Sequence, residues 1–250
     1  GRGGGEPLLK GIQLNIDEGE RIAIVGRTGS GKTVFCNLLT RILEPPTGCL
    51  FFNGMETHRI PLRVLRRSIG YVPQDTILFS DTIRENIAFG MPDAADEKIE
   101  EAARIAQIYD DIMDFPEGMD TVVGEKGITL SGGQRQRIAI ARAVLIDPPI
   151  FVLDDALSSV DMQTEELILE GMEKVLQGKT SILITHRNAP LRRADRIVVL
   201  DHGIVAEMGD HYSLLSRGGI YADLYRQRQL EEELDKEKNG NSNNQIPISK

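Results

Sequence analysis

Cysteine is scarce. Only Cys36 and Cys49 occur in 250 residues, and their positions match no metal-ligand spacing, so two buried free thiols in a reducing compartment are expected. Long apolar runs are missing too. No stretch approaches the roughly 18 residues that a membrane-spanning helix requires, and no signal peptide is visible. Net positive charge is absent: 29 Lys and Arg against 38 Asp and Glu leave −9, which argues against a surface built to coat nucleic acid. Much of that acid sits near the end, at Glu231, Glu232, Glu233, Asp235 and Glu237, so the folded part is closer to neutral. An initiator methionine is lacking, and from Gly1 the expectation is a chain that begins inside a longer gene product or after a removed tag. What is present is the composition of an ordinary globular protein, long enough to bury a core as one large α/β domain or two small ones.

The chain is organised around Ile22 to Thr33, IAIVGRTGSGKT. Four apolar residues read as a buried strand, a glycine-rich turn follows, and Val34, Leu38, Leu39 and Ile42 then mark an amphipathic helix. Gly26, Arg27, Thr28, Gly29, Ser30, Gly31, Lys32 and Thr33 fit G-x-x-x-x-G-K-[ST], the phosphate-binding P-loop. Glycine lets the backbone approach a phosphate closely, so that successive N–H groups and a helix N-terminus point at the anion. Lys32 supplies a positive charge for the β- and γ-phosphates, and the Thr33 hydroxyl is placed to ligate Mg²⁺.

Around this motif, a strand is expected at Leu8 to Ile16, where Ile12, Leu14 and Ile16 alternate with polar residues. Glu44 to Gly48 stops the helix, and Cys49 to Phe52 with the turn Asn53-Gly54 predicts an antiparallel hairpin. A strand at Ile69 to Val72 ends at Pro73-Gln74. Residues of about 80–145 then become helical and read as an inserted lobe. Ile150 to Leu153 and Ser181 to Thr185, separated by a helix over Thr164 to Leu176, have βαβ spacing, and Ile197 to Leu200 with Ile204 to Glu207 make a final hairpin at His202-Gly203. Beyond about Leu230 the charged tail, 231–250, is expected to be disordered.

Two further stretches carry chemistry. Ile150 to Asp155, IFVLDD, is an apolar strand ending in acids. Asp154 is placed to hold Mg²⁺ and Asp155 to face an attacking water. In Leu130-Ser131-Gly132-Gly133-Gln134 the S-x-x-Q spacing of Ser131 and Gln134 predicts a capping box, hence a second helix with free N–H groups at its start. Two glycines inside a helix cost about 1 kcal/mol each, which an ordinary cap does not explain.

With LSGGQ on the page, residues of about 8–228 resemble the ATP-binding cassette family, specifically the nucleotide-binding domain of ABC exporters. The resemblance implies a P-loop NTPase, RecA-like α/β core with an antiparallel β subdomain and the helical subdomain as an insertion. It also implies that Gln74 is the Q-loop glutamine near Mg²⁺ or water, that His186 in LITHR is the switch histidine on the γ-phosphate, and that Ser158-Ser159-Val160-Asp161 is the D-loop. Read alone, His186 is more simply a strand-end histidine. Val123 to Gly127 resembles the exporter X-loop, and Phe79 to Ile87 is exporter-like as well.

The implied cofactors are ATP and Mg²⁺. The implied partners are a second nucleotide-binding domain, whose site Ser131, Gly132, Gly133 and Gln134 would complete in a head-to-tail dimer, and a transmembrane domain reached through the X-loop and Q-loop. The second domain is expected on a different chain, this one resembling the degenerate-site half of a heterodimeric exporter, with a homodimer as the rival. Nucleic acid is not expected. The implied location is the cytoplasmic face of the cell membrane, the fragment itself being soluble. Two features depart from the family. No aromatic residue precedes Phe35, so the first strand and the adenine-stacking residue are expected to be missing, and Asp155 stands where a competent member has glutamate. Two rivals remain: a soluble ABC ATPase of DNA repair or translation, and a nucleotide-binding regulatory half with little turnover.

Overall fold

The structure, a computed structural model, describes residues 8–124 and 127–242. Strand β1 (Arg21–Val25) feeds helix α1 (Lys32–Leu39), and the hairpin β2 (Phe51–Phe52) and β3 (Met55–Glu56) follows. Next come α2 (Leu62–Arg67) and β4 (Ile69–Val72), then the helical lobe of α3 (Ile83–Ala88), α4 (Asp96–Ile105), α5 (Tyr109–Met113) and α6 (Gly132–Ile146). The chain returns through β5 (Ile150–Asp154), α7 (Met162–Leu176), β6 (Thr180–Ile184) and α8 (Asn188–Leu191). It closes with the hairpin β7 (Arg196–Asp201) and β8 (Ile204–Gly209), then α9 (His211–Arg217) and α10 (Ile220–Ser242).

The main sheet has the order β4-β5-β6-β1-β7-β8, parallel except for the last pair. β1 lies inside it, hydrogen-bonded to β6 and β7. A central strand covered on both faces has no solvent side, which is why Ile22 to Val25 are all buried and the run shows no polar alternation. Its residues still alternate in direction: Ile22 and Ile24 join Cys36 and Leu39 of α1 on one face, and Ala23 and Val25 join Leu214 and Tyr221 on the other. β5 divides likewise. Val152 faces the α1 side, whereas Phe151 and Leu153 enter the largest cluster, which runs on through Ile138 and Ile140 of α6 to Ile87 and Ile99 of the lobe.

Three expectations are corrected. No strand forms at 8–16. Ile12, Leu14 and Ile16 do pack on the core, but Lys10 N–H donates to Gly203 O at 2.8 Å across the tip of the β7/β8 hairpin, and no ladder follows. The alternation there reports an extended segment lying on a core, which has the same period as a paired strand. Cys49 is exposed and precedes β2, so only Cys36 is a buried thiol. The chain beyond Leu230 is helical as far as Ser242, because Glu, Lys, Arg, Gln and Leu are strong helix formers and Gln227 donates to Glu231 one turn on, at 3.1 Å. The rest of the expected tail, 243–250, lies outside the described residues.

Candidate active site at the strand ends

Parallel strands deliver their C-terminal ends to one rim of the sheet, where ligands of open α/β folds bind. β1 ends in the P-loop, β5 in Asp154 and Asp155, β6 in Thr185 and His186, and β4 in Pro73 and Gln74. Gly26, Arg27, Thr28 and His186 line one side of a cleft of about 670 Å³, and Leu224, Gln227, Arg228 and Glu231 of α10 line the other.

Gly26 is dictated by crowding. A Cβ there would fall 2.2 Å from Leu200 O on β7 and 2.6 Å from the Ser30 hydroxyl, so the loop can leave β1 only without a side chain. Lys32 is buried, and its Nζ donates to Gly26 O at 2.9 Å and to Arg27 O at 3.1 Å, which folds the loop over its own lysine. Burial lowers its pKa and Arg228 adds to that, while Asp155 and Asp154 oppose both. The ammonium thus sits at the start of α1 against two carbonyls of the loop, in a place to which phosphate oxygens would be drawn.

Asp154 tests the fit for Mg²⁺. Its side chain is 2 % exposed, yet Oδ2 has no hydrogen-bond partner. Burial pushes its pKa up and Asp155 adds to the shift, against a hydrogen bond from the Thr33 side chain and the charge of Lys32. A buried carboxylate oxygen without a donor, beside a threonine hydroxyl, is a hard oxygen set of the kind that suits Mg²⁺. Thr33 and Asp154 would hold the ion, which when bound neutralises phosphate charge. Asp154→Asn is expected to leave the melting temperature of the nucleotide-free chain unchanged or higher, and to remove the extra stabilisation that Mg²⁺ adds to ATP. Burial pushes the carboxyl up, so Asp154's contribution to stability falls as pH rises from about 4 through its folded pKa. Thermal melts of the asparagine variant across that range would lack this share of the slope, leaving that of Glu165, which burial also pushes up.

Asp155 adopts a left-handed backbone, φ 51°, and its N–H donates to Ile184 O at 2.9 Å, so β6 fixes its direction. His186 follows two residues later on that strand's extension. Burial lowers its pKa, with Asp155 pulling the other way, so the imidazole is neutral around pH 7. Gln74 is exposed beyond the end of β4 and is not among the residues lining the cleft.

The second motif lies elsewhere. Ser131 caps α6 with both bonds of the capping box, Gln134 N–H to Ser131 Oγ at 3.2 Å and Ser131 N–H to Gln134 Oε1 at 3.0 Å. The paired glycines have a packing reason: a Cβ on Gly133 would stand 2.8 Å from Ser159 O, and one on Gly132 3.3 Å from the Ser159 side chain. None of Ser131 to Gln134 lines the cleft at the P-loop.

A family profile described as ABC transporter matches residues 9–158. The chain belongs to the ABC transporter family. This ABC domain is 48% identical over 219 residues to an ATP-dependent lipid A-core flippase of Chromobacterium violaceum, covering 88% of the chain and 38% of that protein. It is 44% identical over 222 residues to a probable multidrug resistance ABC transporter ATP-binding/permease protein of Bacillus subtilis, covering 89% and 38%. Among solved structures, a bacterial Atm1-family ABC exporter with ATP bound superposes with a TM-score of 0.86 at 40% identity, over 91% of this chain and 40% of that one. The ABC domain therefore spans less than half the length of these exporter-type relatives.

Several residues of the ABC domain escaped the sequence reading. Gln136 Nε2 donates to Ser158 Oγ at 2.9 Å and its Oε1 accepts from Ser159 N–H at 2.9 Å, clamping α6 to the D-loop segment. Arg187 reaches Glu165 at 2.5 Å and donates to Val160 O at 2.6 Å, tying the segment after His186 to that same loop. Asp111 accepts from Gln134 Nε2 at 3.0 Å and from Arg137 at 2.8 Å. Their only sequence signal is a polar residue where a helix interior or strand end calls for none. Asp161, expected in the D-loop, is the N-cap of α7, accepting from Thr164 N–H at 2.9 Å. That bond holds its pKa low. Asp161→Ala is expected to cost about 1 kcal/mol, or a melting temperature lower by about 2–4 °C, at neutral pH. The difference should fade as pH falls through the folded pKa, because a depressed carboxyl contributes only while ionised. Of the expected X-loop, Glu125 and Lys126 lie outside the described residues.

Proposed function

We propose that this chain is the ATP-binding and hydrolysing motor of an ABC exporter, working as a head-to-tail pair of such domains beside membrane helices carried by another part of the protein or another chain. No helix among the described residues is long and apolar enough to cross a membrane. The reading rests on one observation above all: Lys32, Asp154, Asp155 and His186 lie close enough at one rim to feel one another's charge, while the capped glycine start of α6 packs against Ser159. A second anion-seeking helix end left out of its own site is what a composite site between two copies requires. Thr33 and Asp154 would hold Mg²⁺, Lys32 would neutralise the phosphates, and Asp155 would orient the attacking water, with Gln74 given the Q-loop part that the family resemblance implies although it stands exposed beyond β4; neutral His186 would accept a hydrogen bond or donate one at the terminal phosphate.

Contact with the membrane helices is assigned to the exposed segment after Gln74. Ile77 is 72% exposed, and Phe79 and Phe89 stack with centroids 4.3 Å apart near the surface. Arg142 of α6 holds the base of this patch through Asn86 O at 2.7 Å and Ile77 O at 3.4 Å. Closure and opening of the paired domains would pass through it to the membrane part. This chain's own site is the slower of the two, since Asp155 is one methylene shorter than glutamate. ATPase assays of the purified chain, alone and with its partner domain, test the reading. Turnover that appears or rises steeply on pairing is expected, and turnover indifferent to any second domain would overturn it.

A further inference from the structure

The wall of the cleft opposite the P-loop belongs to α10, and Arg228 is the residue there that has no account. It is 6 % exposed, yet neither Nη1 nor Nη2 has a hydrogen-bond partner. A guanidinium carries five donors, and burying it unpaired is costly unless charge or a ligand compensates. The groups around it are Tyr221, Asp155, Glu231 and Glu232, and it is close enough to Lys32 for its charge to depress the lysine's pKa. None of the carboxylates bonds to it, although Glu231 and Arg228 line the same cleft as Gly26, Arg27, Thr28 and His186.

The helix is fastened where this arginine needs it. Glu232 accepts from Asn188 N–H at 3.1 Å, and Asn188 Nδ2 reaches Tyr225 O at 3.5 Å, so α10 is clasped to the segment two residues after His186. Leu224 and Gln227 complete that wall.

We propose that Arg228 is a phosphate-binding residue of the nucleotide site, brought to the P-loop by α10 and directed at the end of the phosphate chain that His186 faces. This rests on the nucleotide reading above. A planar guanidinium with both terminal nitrogens free is suited to bidentate contact with phosphate oxygens. Burial depresses its pKa, so an arriving anion meets a cation already stripped of much of its water and binds it more strongly than a surface arginine would.

The test compares the full chain with Arg228→Gln, Arg228→Lys and Lys32→Ala, measuring dissociation constants for MgATP and MgADP by calorimetry and melting temperatures without nucleotide. Arg228→Gln is expected to weaken MgATP by about tenfold or more, and MgADP by less, while melting at the same or a higher temperature because a buried unpaired charge is gone. Arg228→Lys should recover part of the loss. Unchanged MgATP affinity in Arg228→Gln, with Lys32→Ala impaired, would overturn this inference alone. Tighter binding would also overturn it, marking Arg228 as an obstruction. A parent chain that binds no nucleotide overturns the nucleotide reading and this inference together.

Discussion

Lys32→Ala is expected to abolish tight MgATP binding and to leave the fold standing. Lys32 is the cation at the head of α1, and it is buried, so the charge it presents to phosphate is poorly screened. Hydrogen bonds between charged groups contribute about 1.5–3 kcal/mol each, and loss of two or more implies a fall in affinity of at least about a hundredfold. The cost to stability is smaller. Nζ holds only the carbonyls of Gly26 and Arg27, and removing it also removes a desolvated charge that Arg228 destabilises. Calorimetry with MgATP decides, alongside circular dichroism. Equal affinity in variant and parent would remove the P-loop from the account.

The second large effect separates Ser131 from Asp155. If the partner domain carries glutamate at the matching position, the complex holds one slow site, built on this chain's Asp155, and one fast site completed by this chain's Ser131. Ser131→Ala should then nearly stop ATP turnover, and Asp155→Ala should change it little. The reason is length. The Asp155 carboxylate falls on the order of 1 Å short of where glutamate would reach, and a misplacement of that size costs roughly a hundredfold in rate. The backbone there is tied to β6, since Asp155 N–H is bonded to Ile184 O at 2.9 Å. Turnover measured in the paired complex distinguishes the cases. Brisk hydrolysis by this chain without a partner, lost in Asp155→Ala, would make aspartate a working group and the asymmetric scheme wrong.

What was legible in the sequence was what local chemistry dictates. The P-loop, the acid-tipped β5, the Asn53-Gly54 hairpin and the capping box at Ser131 each depend on residues within a few positions of one another. The helical insertion was readable because its apolar spacing differs from that of the strands around it. The failures have one cause, that period and composition do not name a partner. Residues 8–16 alternate like a strand but meet a hairpin tip, and the segment after Leu230 is charged like a tail but continues a helix. Arg228 was hidden for the same reason. Forty-two positions separate it from His186, and only the packing of α10 brings the two to one cleft.

Helix α6 is one unbroken rod of 15 residues, and therefore about 22 Å long. Near one end sits the glycine pair, with Ser159 pressed against it. Near the other, Arg142 grips Asn86 and Ile77 in the stretch that follows Gln74, and between them Ile138 and Ile140 are wedged in the core. The core grips it along most of its length, from Ile138 through Leu145. The Ile77 patch and the Gly133 start are thus two ends of one body, and any displacement of the one carries the other with it.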